Sequence, residues 1–298
     1  MLEQFLNHIK LHNLCKTTDN ILLAVSGGLD SVVMLHLFRQ ASLAFGVAHC
    51  NFQLRGEDSE GDHKWVAELC KAQGIRFHSA RFDTMAYARQ NGLSIQMAAR
   101  QLRYAYFQQL LKEEGYDKTA TAHHDNDNLE TVVLQFIKGS GIGGLRGIPV
   151  MKQNVIRPML FATREQIEQY AKANAIHWRE DSSNASDDYQ RNLIRHRIIP
   201  VMKEINPALE HTFDTTLERI AGAHQWARAF IDQFASSHVR PSPEEITIDI
   251  KALQHSGAAA ALLWELLKDK GFNFDQCREI VAEHQPGKRF LSSGYTLH

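Results

Sequence analysis

The chain has 298 residues, 44% of them hydrophobic and 22% charged, with a formal net charge of −1. That length exceeds what one hydrophobic core usually organises and predicts two domains, while the neutral charge excludes a wholesale basic surface and confines any RNA contact to local clusters. No apolar run reaches membrane-spanning length, the start MLEQFLNHIK lacks a signal-peptide core, and Cys15, Cys50, Cys70 and Cys277 show no CxxC spacing, which argues against a membrane span, a zinc ribbon and an iron–sulfur centre and leads one to expect a reduced, cytoplasmic setting.

In chain order, Leu2, Phe5, Leu6 and Ile9 make a helical stripe. The next stretch, ILLAVSGGLDS at 21–31, organises the rest. Its five apolar residues suit a strand buried on both faces, Gly27 and Gly28 permit a sharp turn between Ser26 and Ser31, and Val32, Val33, Leu35, Leu37 and Phe38 then recur at helical spacing. Free N–H groups and the macrodipole at such a helix start form an anion site. A P-loop would carry a lysine here; this chain carries Asp30, which repels phosphate unless a cation such as magnesium lies between them.

A second strand over 43–51 ends in His49 and Asn51, where ligands of open parallel sheets bind. A helix over 60–73 and a strand over 75–80 follow. The helical stretch 94–111 carries Arg100 and Arg103 on one face. A short strand over 118–122 then runs into HHDNDNLET, which crowds His123, His124, Asp125, Asp127 and Glu130 at the start of a helix. Such a cluster caps the helix dipole, and also suits magnesium or a cationic substrate. The glycine-rich run 139–147 is either a flexible loop over a ligand or a connector. Thr163 opens a further helix through the capping box TREQ. Arg191 and Arg195 fall four apart beside Asn192, His196 and Arg197, either a phosphate-binding face or partners for Glu180, Asp187 and Asp188. Beyond 208 a long helix over 209–234 is predicted, then a strand over 245–253, helices over 258–268 and 274–283, and a terminal hairpin cut before its second strand can pair, as in a truncated chain.

SGGLDS resembles the SGGxDS signature of the PP-loop ATP pyrophosphatases. Over roughly the first two-thirds of the chain, SGGLDS, HCNFQLRGEDS, SIQMAARQLRY, TAHHDNDNLET, GSGIGGLRGI, IRPML, EDSSN and YQRNLIRHRIIP occur in order and together resemble the tRNA(Ile)-lysidine synthetase family. The resemblance implies an α/β fold, a doubly wound, mostly parallel sheet of the adenine nucleotide α-hydrolase-like type over 1–207, with a mainly helical tRNA-binding region over 208–298. It implies an ATP- and Mg2+-dependent ligase joining L-lysine to C2 of the wobble cytidine of an isoleucine tRNA with a CAU anticodon, releasing AMP and pyrophosphate; the alternative is another PP-loop tRNA-modifying or amidating enzyme. Whether the chain forms a homodimer is left open.

The same resemblance implies roles for individual residues. Ala24, Ser26, Gly27, Gly28, Leu29, Asp30, Ser31, His49, Arg100 and Arg103 would bind ATP. Asp30, Arg103, His123, Asp127 and Glu130 would be catalytic, Asp30 and Glu130 would receive lysine, Asp30 and Asp127 would hold the metal, and Arg191, Asn192 and Arg195 would meet tRNA. Three positions depart from the family pattern: Asn126 stands for its first aspartate, Phe52 for a histidine and Gln96 for a glutamate.

Overall fold

The computed structural model describes residues 1–180, 190–242, 245–283 and 287–297. The EDSSN segment beyond Glu180, with Asp187 and Asp188, lies outside the described residues. Two compact units are found, Met1–Leu217 and Glu218–His298.

In the first unit the hydrophobic strand expected before the glycines is β1 (Asn20–Ala24), and it lies at the centre of a six-stranded sheet. β2 (Ala44–Asn51) and β3 (Phe77–Arg81) extend the sheet on one side; β4 (Lys118–Ala120), then β6 (Val155–Ile156) and β5 (Met151–Lys152), extend it on the other. All neighbours pair in parallel except β5 with β6, a short hairpin that the sequence reading did not separate. Strand order thus reverses between β1 and β4, which opens a crevice beyond their carboxyl ends.

Alternation along β1 divides the core. Ile21 and Leu23 face a layer built from α1 (Leu2–Leu11), α2 (Leu29–Gln40), α3 (Glu57–Gln73) and α7 (Arg164–Ala173), including Phe5, Phe38, Val66 and Ile167. Leu22 faces the other way, onto Phe107, Leu110 and Leu111 of α5 (Ile95–Glu114). A strand so enclosed has no polar face, which is why its sequence is an unbroken apolar run. Gly46 in β2 leaves room for Tyr116, since a Cβ there would meet the phenol oxygen at 1.9 Å. A short helix missed in the sequence, α4 (Thr84–Asn91), starts where Asp83 accepts the Ala86 N–H.

α6 (Asp125–Ile137) follows β4. The basic stretch after residue 190 is not the regular helix expected: α8 (Gln190–Leu193) passes into a π-helical turn, Ile194–Ile198, before α9 (Ile199–Ile205). Leu129, Ile194, Ile199 and Leu209 pack together and fix this turn against α6.

α10 (Leu209–His238) runs into the second unit. There Ile231, Phe234, Leu262, Leu263 and Cys277 form a core between α10, α12 (Ala259–Leu267) and α13 (Phe274–Ala282). The strand expected over 245–253 stops early. β8 (Ile246–Ile248) pairs with β7 (Val239–Pro241), and Asp249 then accepts the Ala252 N–H and starts α11 (Ile250–His255). The terminal hairpin is also paired, β9 (Phe290–Leu291) against β10 (Thr296–Leu297).

Candidate active site

The glycine turn after β1 is held by its own serines. Ser31 Oγ accepts the N–H groups of Ser26 at 3.2 Å and Gly27 at 3.3 Å and donates to the Gly28 carbonyl at 2.9 Å; Ser26 Oγ accepts the Gly28 N–H at 3.3 Å. Gly27 sits at φ +101°, a conformation closed to residues with a side chain, and its carbonyl accepts the Arg179 N–H at 3.0 Å. Asp62 in turn accepts from Arg179 Nε at 2.5 Å and Arg55 Nη2 at 2.7 Å, so a buried carboxylate braces the segment crossing the loop. The turn therefore presents the open N-terminus of α2 in a fixed shape.

A cleft of about 840 Å³ opens over this turn, within the first unit. Ala24, Ser26, Gly28, Leu29, Asp30 and Ser31 line its floor. Arg103, His123, Asp127, Glu130, Arg191 and Arg195 line its walls, so residues from β1, α2, α5, α6, α8 and the π-helical turn meet there. Four expected residues lie elsewhere. Gly27 contributes backbone to the loop without lining the cleft; His49 is 4% exposed behind it, its Nδ1 2.9 Å from the Val25 carbonyl. Arg100 stacks on the Tyr104 ring at 4.8 Å, and Asn192 is buried in α8. For His49 and Asn192 the cause is tertiary: both side chains are covered by packing that no local pattern records.

Charge in the cleft is paired. Glu130, 1% exposed, takes Arg195 Nε at 2.6 Å and Nη2 at 3.0 Å, and the same guanidinium lies 3.6 Å from Asp127 Oδ1. Burial pushes the Glu130 carboxyl up, against the pull of Arg195. Burial acts the same way on Asp127, but His124, His123, the His124 N–H and Arg191 outweigh it and hold that carboxyl low. His123 shares a 2.9 Å hydrogen bond with Thr121 Oγ1; burial lowers it to about 4, so the ring is neutral near pH 7. Arg191 reaches Thr131 Oγ1. Arg191 and Arg195, expected either as a phosphate-binding face or as partners for Glu180, Asp187 and Asp188, are both engaged by α6. Arg103 stacks over Phe52 at 5.2 Å, which gives the phenylalanine at a departing position a packing role.

Three features escaped the sequence. His124 Nε2 stands between two carboxylates, 3.8 Å from Asp30 Oδ1 and 3.6 Å from Asp127 Oδ2. Arg164, read only as part of a capping box, ion-pairs with Asp30. Asn126 uses both ends of its amide: Oδ1 accepts the Arg164 N–H at 2.8 Å and Nδ2 donates to Glu210 at 3.3 Å. A carboxylate at 126 would confront Glu210, so the departure from the family pattern has a local electrostatic reason.

Among the described residues no three His, Cys, Asp or Glu side chains form a metal cage. Asp30 and Asp127, 3.8 and 3.6 Å from the same His124 nitrogen, instead suit a magnesium ion that draws its remaining ligands from phosphate and water. Chemically the cleft offers helix-terminal N–H groups and guanidinium groups for phosphates, with carboxylates for a cation.

Comparison with known proteins agrees with this layout. The model of a PP-loop domain matches residues 1–202, and that of a TilS substrate binding domain matches 241–298. A tRNA(Ile)-lysidine synthase of Porphyromonas gingivalis is 41% identical over 93% of this chain, which spans 61% of that relative's length. The enzymes of the same name from Bacteroides thetaiotaomicron and Chlorobaculum tepidum are 38% and 40% identical over 99% and 81% of this chain, and 69% and 73% of theirs. A U34-tRNA thiolase from Methanococcus maripaludis, 17% identical, shares the fold with a TM-score of 0.59 over 73% of this chain and 78% of that one. Among the described residues no helix is long and apolar enough to cross a membrane.

Proposed function

The chain belongs to the PP-loop tRNA(Ile)-lysidine synthase family, and on that premise we propose that it ligates L-lysine to C2 of the wobble cytidine of the CAU-anticodon isoleucine tRNA at the expense of ATP. The carrying observation is the cleft itself, where the glycine turn after β1 and the acidic start of α6 meet Arg191 of α8 and Arg195 of the π-helical turn at the reversal of strand order. The cytidine C2 oxygen attacks the α-phosphorus and pyrophosphate leaves; the lysine ε-amine then attacks C2, the C2–O bond breaks, and AMP leaves.

The N-terminus of α2 and Arg103 hold the phosphates as negative charge moves onto the leaving pyrophosphate. Asp30 and Asp127 would hold magnesium, which when bound neutralises phosphate charge. His123, neutral near pH 7, hydrogen-bonds with Thr121 within the cleft without adding a positive charge to it. Glu130 receives the lysine ammonium, exchanging its Arg195 partner as Arg191 and Arg195 turn to tRNA phosphate, while Asn192 stays packed in α8; Asp30, expected at the magnesium or the lysine amine, is assigned here to the magnesium. The match of 241–298 to a substrate binding domain supports a second grip on tRNA, and a tRNA substrate supports a cytoplasmic setting.

Measurement of AMP release by the purified chain tests this reading. AMP formed only with ATP, lysine and the CAU tRNA together is expected. Release driven instead by ammonia or sulfide without lysine would point to another PP-loop enzyme, and no release at all would refute catalysis by this chain.

A further inference from the structure

Arg164 is placed against the usual electrostatic rule. It is the first residue of α7, where the helix dipole favours an acid and a cation costs about 0.3–1 kcal/mol. Its backbone is fixed nonetheless: Thr163 Oγ1 accepts the Gln166 N–H at 3.3 Å, and Asn126 Oδ1 accepts the Arg164 N–H. From that anchored start the side chain, 44% exposed, spans to both oxygens of Asp30, which is itself 27% exposed at the cleft. An ion pair so open to solvent contributes about 0–1 kcal/mol to the fold. Stability therefore does not account for a guanidinium held here against a helix dipole.

The competing chemistry does. Both Asp30 oxygens are occupied by Arg164, and a divalent cation held by Asp30 would compete for them and repel the guanidinium. A guanidinium displaced from a carboxylate finds its next-best partner in phosphate, whose oxygens it can bind in a fork. The floor of the cleft directly beneath is the N-terminus of α2.

We propose that Arg164 is a further phosphate-binding residue of the cleft, held on Asp30 by an ion pair and transferred to the outer phosphates of ATP when a divalent cation takes the Asp30 oxygens. The transfer makes and breaks no covalent bond. It rests on the reading above that the cleft takes ATP, and it assigns to one arginine two successive partners.

Calorimetric titration of the full chain with ATP, in the presence and absence of Mg2+, tests it for the wild type, Arg164→Gln and Arg164→Lys. Arg164→Gln should weaken ATP binding in Mg2+ by about tenfold or more, with a much smaller loss when Mg2+ is absent, because the arginine then stays on Asp30. Arg164→Lys, which keeps the charge and loses the fork, should recover part of the affinity, and it decides the matter should the glutamine variant not fold. Unchanged ATP affinity in a folded Arg164→Gln, or an equal loss with and without Mg2+, would overturn the proposal and leave a static strut. A wild type that binds no ATP would overturn the functional reading first, and this proposal with it.

Discussion

Arg195 grips Glu130 at two points, through Nε at 2.6 Å and Nη2 at 3.0 Å, around a carboxylate that is 1% exposed. Removing the arginine strands that carboxylate. Arg195→Ala is expected to destabilise the first unit by about 2–3 kcal/mol, below the ~3–5 kcal/mol of a fully buried pair because Arg195 keeps a third of its exposure. Urea unfolding of the variant against wild type gives the value, and a difference under about 0.5 kcal/mol would show that the pair contributes little.

Glu130→Gln keeps the size of that side chain and removes its charge. If the carboxylate meets the lysine ammonium, the half-saturating lysine concentration should rise by about tenfold or more while that of ATP changes little. Initial rates of AMP release across both titrations decide it, and parallel shifts in the two would contradict the assignment.

Asp30→Asn tests the floor of the cleft. The substitution removes a charge and almost no volume, and the partner it loses, Arg164, is 44% exposed, so unfolding free energy should change by no more than about 1 kcal/mol. AMP release should nevertheless fall by about a hundredfold or more. Turnover at the wild-type rate would remove Asp30 from the chemistry.

Asn126→Asp would set a carboxylate against Glu210, which its hydrogen bond to Lys203 helps keep ionised despite burial. A loss of about 1 kcal/mol is expected, reversed by adding Glu210→Gln, and a double-mutant cycle measures the coupling. Additive effects of the two substitutions would mean that Glu210 does not select the amide.

His8 makes stability depend on pH. Burial first, then the nearby His12, lowers it from 6.5 to about 4, so between those values the unfolded chain binds more protons than the folded one. Stability should therefore be fully present above pH 6.5 and fall as pH drops toward 4. Glu130, raised in the folded state, acts in the opposite direction. Replacing the ring by His8→Phe should flatten the decline between pH 6.5 and 4 in urea melts, and an unchanged slope would show that other groups set it.

The sequence by itself determined the local events. An apolar run, two glycines and a helical stripe compel a strand, a turn at φ +101° and a helix start, and TREQ compels a capped helix at Thr163, because such signals depend on period and backbone freedom within a few residues. Motif order likewise carried the family. Tertiary structure alone decided which charges meet. Arg164 and Asp30 are 134 positions apart and Arg195 and Glu130 are 65 apart; the first pair forms because α7 packs against α2, the second because the π-helical turn sets Arg195 against α6. The same packing hides His49 behind the loop and gives both ends of the Asn126 amide a partner. Local periodicity specifies elements, whereas the partners of the charged groups are specified by how strands and helices far apart in the chain pack together.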